Sequence, residues 1–263
     1  MKRVSYLLIS VLMVLSSCNF DFKLKPNDLL EGPTDNLEIQ RYDRLESQYL
    51  TTGDFSALQQ METDYPMETR ALLENVLRIG VVDDPEINKK FLSYFQDSTL
   101  QVLIGDVESE FANMNDLNKD LQHCFDRLLK EIPELTVPRV YAQIGALDES
   151  IVVGDSMIGI SLDKYMGANY SLYKKHYTLQ QRESMTRQNI IPDCLVFYLL
   201  SLYPLDDYDR RTQNERDYHM GKMMWISNQI LGRKFFKMKF VDEVANYQKK
   251  HNLTIKELLE KTP

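Results

Sequence analysis

Imidazole is scarce in this chain, which carries only His123, His176, His219 and His251. No two of them stand at the i, i+4 spacing that puts a pair of zinc ligands on one helical face, as in H-E-x-x-H. A zinc hydrolase of that pattern is excluded. A site gathered from distant histidines would take His219, beside Glu215 and Asp217, as its best ligand, but a solvated charged helix face is the preferred reading of that stretch. Cysteine is as thin, three in all with no C-x-x-C pair, which removes redox and zinc-knuckle chemistry. Glycine clusters before a helix are lacking, so nothing reads as a phosphate loop. Gly159-Ile160-Ser161-Leu162-Asp163 misses the second glycine of the G-x-S-x-G elbow, and Asp206-Asp207-Tyr208-Asp209 has carboxylates without the turn of a calcium loop. The single tryptophan, Trp225, offers no aromatic platform and reads as core. A net charge of −8 opposes phosphate backbones and argues against nucleic acid as a partner. None of these patterns calls for a cofactor.

The N-terminus is more informative. Met1-Lys2-Arg3 is basic, Tyr6 to Leu15 is apolar, and Leu15-Ser16-Ser17-Cys18 follows. The apolar run is too short for a mature membrane span and has the layout of a cleaved secretory signal over residues 1–17. Small residues before a cysteine resemble the bacterial lipobox, which implies a diacylated Cys18 as the first mature residue, with the lipid bilayer as its partner. A plain signal peptide with an incidental cysteine is the alternative. Residues 18–36 hold Pro26, Gly32 and Pro33 among mixed charges and read as a tether. With Cys18 lipidated, Cys124 and Cys194 are left, and their separation leaves a disulfide open either way.

From Leu37 the apolar pattern is helical. Ile39, Tyr42, Leu45, Tyr49 and Leu50 fall at that spacing, Phe55 opens a second helix, and Met67 to Ile79 forms a third. Pro85 starts another, and Leu100 to Ile132 reads as one or two long helices with a stripe of Leu117, Leu121, Phe125, Leu128 and Leu129. The period then changes to that of strands over Val137–Ile144, Ile151–Val153 and Met157–Leu162, with turn residues Gly154-Asp155-Ser156 between the last two. We expect a small antiparallel sheet of three strands. Helices resume over Tyr165–His176, Leu179 to about Tyr203 with Pro192 inside, and Glu215–Leu231. A last one, Ile255–Glu260, has a capping box at Thr254 and Glu257. The expected fold class is α+β, a mostly helical single domain over residues 37–263. Asp163, between a strand and a helical segment, reads first as a cap for orphan amides, and Asp193 after Pro192 likewise.

In order, Val137-Pro138-Arg139-Val140-Tyr141, Gly159-Ile160-Ser161-Leu162-Asp163-Lys164-Tyr165-Met166-Gly167, Tyr173, Tyr177 and Ile190-Ile191-Pro192-Asp193 resemble the GldB-type gliding-motility lipoproteins of the Bacteroidetes. Gly221-Lys222-Met223-Met224-Trp225 and the closing Tyr247 to Leu259 resemble further segments of that family, although the stretch between them is shorter than its pattern. The resemblance implies a zincin-like plan in which the helix after Pro192-Asp193 takes the place of the metal helix. That helix here reads Cys194-Leu195-Val196-Phe197-Tyr198-Leu199-Leu200, with no histidine or glutamate. What the resemblance implies is therefore a non-catalytic lipoprotein of the gliding or type 9 secretion machinery. It would be anchored through Cys18, on the periplasmic face of the outer membrane, and would contact other envelope proteins. Its candidate functional surface is Asp163, Tyr165, Gly167 and Asp193, with the tyrosines of Tyr165 to Tyr218 as either recognition surface or half-buried core. The alternative is a degenerate zincin-like hydrolase using Asp163, Asp193 and His176 or His219. A glycan- or peptide-binding lipoprotein is the third class, without a tryptophan platform to support it.

Overall fold

A computed structural model describes residues 37–261; the signal, Cys18 and the tether lie outside them. The fold is α+β and mostly helical, with one small sheet at its centre. Helices α1 (Tyr42–Thr52) and α2 (Phe55–Asp64) are punctuated by Gly53, whose φ of 72° closes α1, and by Asp54, whose carboxylate accepts the Ser56 amide at 2.8 Å. α3 (Pro66–Arg70) runs into a π-helical turn over Ala71–Val76. α4 (Ile87–Tyr94) begins two residues after Pro85, and the stretch expected as one or two long helices is two, α5 (Ser98–Glu110) and α6 (Asn115–Glu131). α6 buries Leu117, Leu121, Phe125 and Leu128 of the expected stripe together with Cys124, while Leu129 is half-buried.

The three strands form where the period changes: β1 (Arg139–Gln143), β2 (Ile151–Gly154) and β3 (Met157–Ser161). Their arrangement corrects the all-antiparallel expectation. The order is β1-β3-β2, with β2 and β3 an antiparallel hairpin and β1 parallel to β3, Tyr141 lying opposite Gly159. The reason lies in β3. Met157-Ile158-Gly159-Ile160-Ser161 is buried at every position, so it takes the middle, where both faces are covered, and β2, half-buried along most of its length, takes the edge. Gly159 is required there, because a Cβ would stand 2.5 Å from the Tyr141 hydroxyl oxygen. The free side of β1 is met by Gln40, whose N–H donates to the Val140 carbonyl at 2.8 Å and whose carbonyl accepts from Ala142 at 2.9 Å.

After β3 the helical expectation over Tyr165–His176 fails. Only α7 (Tyr173–His176) is helical, since Gly167 has φ 99° and its N–H donates to the Met185 carbonyl instead. The stretch from Leu179 divides into α8 (Leu179–Glu183) and α9 (Ile190–Leu202), with Pro192 in the first turn of α9, where its missing N–H is tolerated. α10 (Gln213–Leu231), α11 (Lys239–His251) and α12 (Ile255–Glu260) follow. The Thr254–Glu257 capping box is present, and α11 is an additional helix that packs its Phe240 against Gly221 of α10. The core is continuous from Ile39 to Leu259.

Candidate functional site

The backbone leaves β1 under strain. Ala146 and Leu147 have φ of 51° and 67°, two successive residues with side chains in the left-handed region. Each costs about 1–2 kcal/mol relative to ordinary backbone. The strain persists because buried side chains grip this segment. The Asp163 carboxylate accepts from the Gly145 amide at 2.7 Å with one oxygen and from the Leu147 amide at 2.5 Å with the other. Glu46, on α1, accepts the Ile144 amide at 2.8 Å. Lys164 donates to the carbonyls of Leu147 and Asp148 at 3.0 and 3.1 Å, and the Tyr177 hydroxyl donates to the Leu147 carbonyl at 3.0 Å. Tyr173 closes the arrangement by donating to the Asp163 carbonyl and accepting from the Met166 amide at 3.0 Å. Gly145 admits no side chain, since a Cβ would meet Ser161 Oγ at 2.7 Å. The outcome is a clasp at the carboxyl end of β1 that presents Ala146 to Glu149 at the surface in one conformation.

Asp163 and Glu46 are wholly enclosed. Burial pushes both carboxyls up from their ordinary range; at Glu46 the neighbouring charges of Asp43 and Asp163 add to it, and at Asp163 the amide bonds pull back without prevailing. Asp163 does satisfy backbone amides, as its position suggested, but those of the β1 exit and not of the segment that follows it.

Tyr165 donates to Asp193 Oδ2 at 3.0 Å, so these two, far apart in sequence, are in direct contact. Burial raises the Asp193 carboxyl to about 7, against the opposing effect of that hydrogen bond. The expectation of a contact surface made by Asp163, Tyr165, Gly167 and Asp193 needs correction. Asp163 and Tyr165 are buried, and Gly167 and Asp193 are half-buried, because their polar groups are engaged inward. Of the tyrosines from Tyr165 to Tyr218 only Tyr208 is exposed, so the group serves mainly as packing and internal hydrogen bonding.

The remaining polar candidates are dispersed. His176 is exposed at the end of α7, and His219 is buried on α10. Cys124 and Cys194 are buried free thiols, the first pushed up to about 12 by burial, which makes it a poor nucleophile. Among the described residues, no three of His, Cys, Asp and Glu converge in a way that would hold a metal. α9, at the place where the resemblance puts a metal helix, presents Cys194 and Tyr198 to the interior, and this donor set does not fit a zinc site.

Sequence reading set no functional expectation for Glu46 or Glu68, and named Tyr141 and Lys222 only within the stretches that carry the resemblance. All four are buried, and Glu46 Oε1, Glu68 Oε2 and the Tyr141 hydroxyl have no hydrogen-bond partner among the described residues. A signal existed for Glu46: it stands four residues from Tyr42, on the apolar face of α1.

No helix among the described residues is long and apolar enough to cross a membrane. A sequence model of the family described as gliding motility protein GldB matches residues 25–241, most of the chain. No curated protein and no solved structure matches it.

Proposed function

This chain belongs to the GldB family of gliding motility proteins, and from that premise we propose that it is a non-catalytic envelope lipoprotein working by protein contact. In this reading Cys18 carries the acyl chains, each buried methylene contributing about 0.8 kcal/mol to membrane retention. The domain stands on the periplasmic face of the outer membrane, and its partners are envelope proteins of the gliding or type 9 secretion machinery.

The observation that carries the proposal is the clasp. Asp163, Lys164, Tyr173 and Tyr177 are engaged in holding backbone, and Asp193 is engaged by Tyr165. The carboxylates that a hydrolytic reading would draw on are thus already committed to structure. What the clasp produces is a preset surface loop, with Leu147 half-buried and Asp148 and Glu149 exposed. A loop ordered before it meets a partner loses little entropy on binding, and backbone strain held in place by surrounding structure is a mark of functional segments.

Crosslinking and pull-down from native membranes tests this. We expect a defined envelope partner that is lost from the Asp148→Lys, Glu149→Lys double variant while its circular dichroism is unchanged. An identical partner set in the variant would remove the loop from the proposal. Chelator-sensitive peptide cleavage by the purified protein would replace contact with hydrolysis. For the anchor, Cys18→Ser should move the protein out of the membrane fraction.

A further inference from the structure

A second region holds buried ionisable groups in a different state. His219 and Lys222 lie three residues apart on α10, hence on one face of the helix. Both are nearly inaccessible, at 5% and 2% exposure. They form the floor of a cleft of about 190 Å³ whose walls are the loop after α9, with Tyr203 and Asp206, and the end of α12, with Glu260 and Lys261.

Lys222 donates to the carbonyls of Leu259 and Lys261 at 3.4 and 2.8 Å. An ammonium has three donors, so one is left over. No carboxylate among the described residues offsets its burial, which brings the amine down to about 8. Among the described residues neither ring nitrogen of His219 makes a well-formed hydrogen bond, and the Tyr203 backbone beside it acts only as a weak acceptor. Burial and the Lys222 charge both lower the imidazole, which is therefore neutral at pH 7 and keeps one N–H to donate. Asp206 and Glu260 also line the cleft but are exposed, so their charges remain solvated.

A lysine at a helix end has an ordinary role, since its charge suits the carbonyls left unbonded there. That role uses two of the donors of Lys222 and leaves His219 unexplained. An enclosed cation without a counter-charge among the described residues, next to an imidazole that makes no well-formed hydrogen bond among them and lining an open cleft, is the complement of an anion. The volume corresponds to roughly six waters, enough for a compact oxyanion with several oxygens.

We propose that the cleft over His219 and Lys222 binds a small oxyanion, a carboxylate or a phosphate, held by the free Lys222 donor and the His219 ring. This inference is independent of the contact role above, as it concerns different elements of the fold.

Titration calorimetry of the full-length protein in detergent at pH 7, with sodium phosphate and with sodium acetate against chloride of equal ionic strength, tests the proposal. We expect saturable binding of at least one oxyanion with one site per chain. Tighter binding of phosphate identifies a phosphate site, and tighter binding of acetate a carboxylate site. His219→Leu, which leaves the α12 carbonyls capped, should weaken that binding at least fivefold, and Lys222→Met at least tenfold. Should Lys222→Met fail to fold, His219→Leu alone decides. Heats no larger than with chloride, or equal in wild type and His219→Leu, would overturn the proposal and leave Lys222 as a helix cap only.

Discussion

Two regions of this molecule bury ionisable side chains and use them oppositely. At the exit of β1, both oxygens of Asp163 receive a backbone N–H, and Glu46 receives a third from Ile144. In the α10 cleft, among the described residues, Lys222 keeps a spare donor and His219 has no well-formed partner. The first region resembles a sheet edge finished by side chains: amides that cannot continue the ladder are taken up by carboxylates, and the strand can turn sharply. The second leaves polar groups aimed at space. The difference teaches where to look for ligand chemistry, because a buried polar group without a partner costs free energy that a bound molecule can relieve.

That contrast can be broken most directly at Asp163. Asp163→Ala leaves two amides without acceptors and releases the strained loop, so we expect a loss of about 3–5 kcal/mol in urea-induced unfolding. A loss below about 1 kcal/mol would show that the clasp does not hold the loop.

Asp193 sharpens the contrast through pH. Its carboxyl titrates near 7 in the folded protein and near 4 in an unfolded chain. Between these values the folded state holds the extra proton. The stabilisation is complete below about pH 4 and is lost as pH rises through 7. Asp193→Asn keeps an acceptor for the Tyr165 hydroxyl without the charge. It should therefore raise stability by about 2 kcal/mol at pH 8 and change little at pH 4, as read by unfolding at the two pH values. Equal effects at both pH values would argue against a buried, titrating Asp193.

Smaller effects separate strain from charge. Ala146→Gly removes the left-handed penalty at φ 51°, partly offset by a more flexible unfolded chain, and should stabilise by about 0.5–1 kcal/mol in the same unfolding assay. Glu46→Gln retains an acceptor for the Ile144 amide and matches the neutral form that burial favours, so its cost should stay below about 1 kcal/mol at pH 7. A cost like that of Asp163→Ala would mean that Glu46 is held charged.

Much of the helical frame was legible. The α6 stripe, the Thr254–Glu257 capping box and the three short strands follow from spacing and local hydrogen bonding, which act within a few residues. The strand order did not follow, because pairing β1 with β3 depends on which strand is buried on both faces. Tyr165–His176 was misread for a related reason: the amides of Met166 and Gly167 bond to the Tyr173 hydroxyl and the Met185 carbonyl, not to the preceding turn. As for the site, Asp163 was legible as a residue that satisfies amides, but the amides lie 16 and 18 positions upstream. Lys222 was hidden because its environment is made by the ends of α9 and α12.

The order of residues by itself determined most of the helices and the three strands, the Thr254–Glu257 cap and the family, since each rests on near neighbours or on a pattern along the chain. Which charges would be enclosed, which would find partners and which would face a cleft was decided only by the tertiary structure. Desolvation and hydrogen bonding across a core depend on groups that the chain keeps far apart until it folds.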